Sequence, residues 1–409
     1  MTCRIASIIA LAILLPPACG QARDLTVATD GSGDFRTVQG AVNSVPEGSR
    51  ERTVIFIKEG TYRELVRIHK PLLTLRGEDR KKTRIVSEVD TSACPIQPGQ
   101  SKEEQCSVII ADASDLVFEN LTILNSFQGR GKGAALAAIG GAKRIVITKV
   151  DVVGYGGDTL VLTSRGEFYL NEVYVSGTYH IIVPRGTTYA IHCTFWCLGD
   201  RHCLFNEGIL HETDKMVIRH SVIDGPEPFG LGSYFRDAAW YFIEDTISDK
   251  LVPDGQIVRE PARNYEMKWG EGRVYFADNK APDYPWLKDN IENSPAKVKT
   301  AVTAAWTFSG WDPESETPAV ITRTETGADQ VRLVFNESVT VRGQPRVKLA
   351  SGRPAVYASG SGTDTLVFRA QCPCRPVEVQ LKNAAIFASA ASFRRRNADL
   401  SLVQSKRTR

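Results

Sequence analysis

Beyond its first residues the chain has no long apolar run, no marked excess of one charge sign and no Cys-x-x-Cys pair. The 50 Lys/Arg against 47 Asp/Glu, with 42% hydrophobic residues, exclude both a disordered acidic or basic tail protein and a bundle of membrane helices. After Ile5–Leu15 no segment approaches the roughly 20 apolar residues needed to span a bilayer. Cys193, Cys197 and Cys203 cluster without the paired spacing of a zinc site, which leaves buried thiols and one further disulfide as the simple reading. Cys372-Pro-Cys374 is too tight for a structural bridge. A strong helical period is missing from Glu64 to the 290s. Also missing are the clustered Asp residues of a calcium-dependent lyase and the spaced acid pair of a glycoside hydrolase. No metal and no cofactor are expected.

What is present begins with a leader. Arg4, the apolar run Ile5–Leu15, Pro16-Pro17 and a small-residue site ending at Ala22 read as a secretory signal peptide over 1–22, so a secreted or periplasmic protein with no membrane attachment after cleavage is expected. A lipoprotein signal at Cys19 fits less well, because Pro16-Pro17 precedes it. Cys94 and Cys106 bracket a polar insertion and are placed to close it as a disulfide in an oxidising compartment. Thr37 is the expected cap of a short amphipathic helix carrying Val38, Ala41, Val42 and Val45, which Pro46 ends. Gly60–Glu64 reads as a turn after the strand Thr53–Ile57.

From there short apolar strands recur: Val117–Ile123, Val146–Val152, Tyr169–Val175, Ala190–Trp196, Val217–Ile223 and Phe242–Ile247, at spacings of about 21 to 29 residues. Each has alternating apolar residues, a polar residue at a bend and a second apolar triplet. That self-similarity is the pattern of a solenoid, and strands at this period predict a parallel β-helix. An antiparallel sandwich is the alternative, but it needs hairpin turns that these connectors lack. Helical spacing over Lys297–Phe308 predicts a cap over the C-terminal part of the solenoid.

From Val320 onward alternating strands replace the repeat and predict a small β-sandwich. The domain boundaries read as solenoid 23–315, linker 316–322, sandwich 323–404 and basic tail 405–409. From Glu316 to the end there are 15 Lys/Arg and 7 Asp/Glu, so this part is basic and suits an anionic polymer by long-range attraction.

Several motifs resemble those of the bacterial and plant pectinesterases. Gly60-Thr-Tyr-Arg-Glu64 is similar to that family's Gly-x-Tyr-x-Glu, and Gly156-Gly-Asp-Thr-Leu160 to its Gln-Asp-Thr-Leu. Gly177-Thr-Tyr-His180 sits where the family has Gly-Thr-Val-Asp, Val274–Asn279 resembles a segment near the end of its catalytic domain, and Gly310-Trp-Asp-Pro313 resembles its closing Trp-x-Pro. The resemblance covers about 23–313 and implies an all-β fold, a right-handed parallel β-helix. Ser359–Leu366 is similar to turns in immunoglobulin-like domains of bacterial surface proteins.

The same resemblance implies an esterase site, altered here. The family uses an Asp nucleophile, a second Asp as acid and base, glutamines for the oxyanion and an Arg that holds the nucleophile. Asp158 is the counterpart of the acid/base, and His180 stands at the nucleophile position. Ala134 and Gly157 occupy the glutamine positions, and Leu231-Gly-Ser-Tyr-Phe235 replaces Leu-Gly-Arg-Pro-Trp, putting Ser233 for Arg and Phe235 for the platform Trp. Three readings follow. In the first, Asp158 orients His180, which activates water or Ser233, while Tyr155, Arg185 and Phe235 contact the substrate. In the second, the groove binds polysaccharide without turnover. The third, a lyase or polygalacturonase, ranks last. The expected partner is an anionic plant-type polysaccharide, pectin or polygalacturonate, and no nucleic acid.

Aromatic residues including Trp240, Tyr241, Trp269, Tyr275, Tyr284 and Trp286 are read mainly as packing, with sugar stacking as the alternative. Polar residues from His202 to Asp214 are read mainly as a solvated loop, and Tyr62 and Glu64 as braces of the first coils.

Overall fold

The computed structural model describes residues 24–388 apart from 50–51, 96–105, 130, 200–201, 206–207, 209–210, 238, 261–265, 310, 315–318, 362, 371–374 and 382–383. The leader, Cys372, Cys374 and the basic tail therefore lie outside the described residues.

Each apolar repeat folds as two strands. Val117–Glu119 and Thr122–Asn125 are separated by Asn120, whose φ of 57° turns the chain through a corner. Lys149, Glu172, His192, His220 and Glu244 take the same left-handed conformation in the five following coils, with φ between 48° and 58°. These are the polar residues that the sequence places at the bends. A left-handed non-glycine residue is disfavoured, but here each is held by parallel ladders on both sides. Before the corner the strands join a ten-stranded sheet running from Leu25–Val27 to Val274–Ala277. After it they join an eight-stranded sheet whose outer strands are Gly60–Arg63 and Thr246–Ile247. Gly60–Arg63 is thus a strand, where the sequence suggests a turn. A third, five-stranded sheet closes the coil: Val66–Ile68, Ile109–Ala111, Leu136–Ala138, Leu160–Leu162 and Ile182–Pro184.

All pairings in these sheets are parallel and in register, so equivalent residues stack. Phe118, Ile147, Leu170 and Ala190 form one buried inward row, and Ile123, Val152, Val175 and Phe195 form another. At about 1.5–3 kcal/mol for each large apolar side chain removed from water, these rows are the main source of stability. The outward face of the ten-stranded sheet is also apolar, with Val117, Val146, Tyr169, Tyr189, Val217 and Tyr241 buried. Ile291, Ala296, Val302, Ala304, Trp306, Phe308 and Trp311 cover it. The expected helix over Lys297–Phe308 is only a 3-10 turn, Lys299–Ala301, and one α-turn, Ala304–Thr307. It lies along the side of the solenoid, because that outward stripe needs covering. Tyr169 donates its hydroxyl to Glu314 (3.0 Å), and Trp311 packs on Phe308, so this stretch is bound to the solenoid as well.

At the N-terminal end the helix Val38–Ser44 has Thr37 as its cap, accepting from the Gly40 N–H. Glu64 accepts from the Val38 and Gln39 N–H groups, both at 2.8 Å, and Tyr62 donates to the Lys58 and Val27 carbonyls. Both residues therefore brace the first coils. Cys94 and Cys106 are joined, as are Cys197 and Cys203, and Cys193 is a buried thiol that burial pushes up to about 12.

The C-terminal part forms an antiparallel sheet of strands from Ile321–Thr326 to Ala385–Ala388, around a separate core that includes Val331, Leu333, Leu366 and Phe368. Two of its expected strands merge into one, Gln330–Arg342, whose register shifts between Val334 and Val339. Ala319 and Ile321, placed in the linker by the sequence, are buried in this core.

Candidate functional site

Asp158 and His180 occupy equivalent positions on successive coils, just before the paired strands Leu160–Leu162 and Ile182–Pro184. Both take left-handed φ values, 54° and 48°. Because similar values recur at structural corners throughout the solenoid, this conformation positions the two side chains and is not by itself a mark of chemistry. The Asp158 N–H bonds the Tyr179 carbonyl and the His180 N–H bonds the His202 carbonyl, so the three coils are tied together at the site.

The Asp158 carboxylate is 3% exposed. His180 Nδ1 stands 3.5 Å from its Oδ1, and the Lys132 ammonium pairs with its Oδ2. Burial pushes the carboxyl up, but the neighbouring His180 imidazole and the Lys132 charge outweigh it and hold Asp158 below the usual aspartate range. Asp158 is thus an ionised partner for an imidazole and not a stored proton.

Lys132 escaped the sequence reading. It reaches the site because its backbone bridges Gly157 in the next coil, a contact no local motif announces. Tyr179, at the Val position of the family's Gly-Thr-Val-Asp, also shapes the site. A Cβ built on Gly157 would lie 2.2 Å from its ring, so the place of a longer side chain at 157 is taken by Tyr179. The same ring meets His180 edge-on at 5.1 Å.

The remaining expected site residues separate. Ser233 is fully buried and donates its hydroxyl to Glu260 Oε1 at 2.6 Å, so its hydrogen bond goes to a carboxylate and not to His180 as expected. The short parallel pair Ser233–Tyr234 and Val258–Arg259 delivers Glu260 to this spot. His202 Nδ1 lies 3.7 Å from the same Glu260 oxygen, so the loop read as solvated contributes a polar contact here. Phe235 is buried, with the Arg236 guanidinium 5.4 Å from its ring, rather than an open platform. Tyr155 is 42% exposed on the coil leading into Asp158, and its carbonyl accepts the Thr178 hydroxyl at 2.5 Å. Arg185 follows the strand Ile182–Pro184, five residues past His180. Ala137, Val161 and Val183 stack in register as an outward-facing apolar row of the five-stranded sheet, in a buried cluster with Ala134. Trp240 and Tyr241 are core residues, and Tyr284 stacks on Trp286, in keeping with packing roles.

The family model for pectinesterase matches residues 24–200, which include Lys132, Asp158 and His180 but not Ser233, Phe235 or Glu260. Pectinesterase 31 of Arabidopsis thaliana is 32% identical over 183 residues, 43% of this chain and 56% of that protein. The chain thus spans about half the length of that relative. Pectinesterase 2 of Olea europaea is 24% identical over 278 residues, 66% of this chain and 73% of its own. Among solved structures, the pectin methylesterase from carrot aligns with a TM-score of 0.55 at 19% identity, covering 71% of this chain and 94% of that one. The pectin methylesterase of Erwinia chrysanthemi aligns with a TM-score of 0.52 at 19% identity, over 68% and 96%. The chain therefore shares the parallel β-helix of the pectin methylesterases.

Proposed function

We propose that the protein is a secreted carbohydrate esterase that hydrolyses methyl or other esters of a pectin-like polysaccharide along the face carrying Asp158 and His180. The observation that carries this reading is the buried, ionised Asp158 with an imidazole on the next coil, on a fold otherwise matched to pectinesterases. An imidazole with one nitrogen on a carboxylate is a usable base near neutrality. His180 takes a proton from water as the water oxygen attacks the ester carbonyl carbon, and Asp158 stabilises the imidazolium that forms. Lys132 keeps Asp158 ionised. Tyr155 and Arg185 are the proposed contacts for the polymer. Phe235 is buried and is given no contact with the polymer. A solved pectin methylesterase carries a hexasaccharide, which supports an extended sugar chain as ligand. The C-terminal sheet is proposed to be an immunoglobulin-like module whose basic character helps retain the acidic polymer.

A second reading, a polysaccharide binder without turnover, is favoured by one feature. Ala134 is buried and Gly157 lies under Tyr179, so neither expected oxyanion position offers a side-chain donor. The loss of one such donor typically costs about 10²–10³ in turnover. Release of methanol or acetate from esterified pectins, measured for the wild type, Asp158→Ala and His180→Ala, separates the readings. Turnover lost in both variants supports the esterase. Polymer binding with no turnover in the wild type supports the binder.

A further inference from the structure

Ser233, Glu260 and His202 form a second polar cluster that the Asp158–His180 chemistry leaves unused. Its parts converge from three separate segments. His202 belongs to the coil whose carbonyl accepts the His180 N–H (3.1 Å), so the two histidines are carried by hydrogen-bonded neighbours, about 4.8 Å apart at the backbone. The Cys197–Cys203 disulfide ties this coil to the eight-stranded sheet one residue after His202. Glu260 is fixed from two sides: its N–H bonds the Tyr234 carbonyl at 2.8 Å, and its Oε1 accepts the Ser233 hydroxyl at 2.6 Å. His202 and Glu260 remain reachable, with side chains 37% and 35% exposed, whereas Ser233 is sealed from substrate. A fully buried hydroxyl that already donates to a carboxylate is poorly placed as a nucleophile and well placed to hold that carboxylate still.

The two histidines differ in the charge behind them. Asp158 is already matched by the Lys132 ammonium, so a proton on His180 adds a second cation to the pair. Glu260 has a neutral hydroxyl on one side and His202 on the other, so a proton on His202 completes a charge pair.

We infer that His202 is the general acid of the ester hydrolysis proposed above, with Glu260 and Ser233 as its positioning residues. This assignment rests on that reading. The water oxygen bonds to the carbonyl carbon while one water proton passes to His180. The tetrahedral adduct then breaks its bond to the alcohol oxygen, which takes the proton from His202. The products are the free acid and the alcohol. The acid yields its proton to solvent, and solvent exchange returns His180 to its neutral form and His202 to its protonated form.

The test uses the full chain on two substrates that differ in their need for an acid. Methanol is a poor leaving group and requires a proton, whereas 4-nitrophenolate leaves without one. His202→Gln is expected to release methanol from methyl-esterified polygalacturonate about 10²-fold more slowly, with KM unchanged and with nitrophenolate release from 4-nitrophenyl acetate retained. Glu260→Gln changes the two rates in the same sense, and Ser233→Ala does so more weakly. A fluorophosphonate probe leaves Ser233 unlabelled. Retained nitrophenolate release also shows that each variant is folded. Equal loss on both substrates, no loss on either, or labelling of Ser233 overturns the assignment while leaving an esterase in place. A wild type inert on both esters overturns the esterase reading and this assignment together.

Discussion

Replacing Lys132 by Met keeps the length of the side chain and removes its charge, leaving the buried Asp158 carboxylate with His180 alone. Breaking a buried ion pair by removing one partner costs about 3–5 kcal/mol when both groups are enclosed. Lys132 is 36% exposed, so water screens part of the interaction, and about 1–3 kcal/mol is the appropriate range. At roughly 2–4 °C per kcal/mol for a domain of this size, a fall of several degrees in melting temperature at neutral pH is expected. The pH dependence follows from the direction of the shift. The folded pKa of Asp158 is depressed, so its ionised form contributes stability that is fully present above the ordinary aspartate value and lost as pH falls through the lower folded value. The gap between wild type and Lys132→Met is therefore largest near neutrality and closes in acid. Thermal unfolding followed by circular dichroism at a series of pH values measures it. An unchanged melting temperature at neutral pH, or a gap that persists undiminished in acid, would refute the assigned role of Lys132.

Other parts of the structure give sharper, smaller tests. Gly157→Ala puts a Cβ against the Tyr179 ring and should cost about 1–3 kcal/mol, with Tyr179→Ala recovering most of it in a double-mutant cycle of unfolding free energies. Glu64→Gln leaves one of the two N–H groups of the first helix turn on a neutral carbonyl oxygen and sets the other against an amide NH2 that cannot accept, so denaturant unfolding should show a loss of about 1 kcal/mol. Cys197→Ser opens a loop closed over a separation of six residues, for which loop entropy gives about 2 kcal/mol, read from the denaturation midpoint. The Cys193 thiol is buried and its pKa is pushed up to about 12, so peptide mapping should find it unmodified by thiol reagents in the native protein and modified after unfolding.

The β-helix was legible because its stabilising unit is short and repeated. Phe118 and Ile123 announce a coil in the same way as Leu170 and Val175, and the bend between them needs a polar residue able to turn left-handed. Asp158 and His180 were legible because each sits at a fixed offset from a strand in a motif with a known counterpart. Lys132, His202 and Glu260 carry no such offset. They arrive by bridges between coils, Lys132 to Gly157 and Phe205 to Gly232, and by the isolated pair Ser233–Val258, and each of these joins residues distant in sequence. The cap over Lys297–Phe308 was read from helical spacing, yet the shape of an outward apolar stripe decides how such a segment lies, and that stripe exists only once the coils stack.

Chemical rescue tests the central claim most directly. In methanol release from methyl-esterified polygalacturonate, His180→Ala should be slower than wild type by about 10²–10⁴-fold, the contribution typical of a lost general base. Added imidazole should restore part of that rate, and His180→Ala/Asp158→Ala should lose the benefit of Asp158 without becoming much slower still. His180→Ala turning over at the wild-type rate, or a slow rate that imidazole leaves unchanged, would contradict the account.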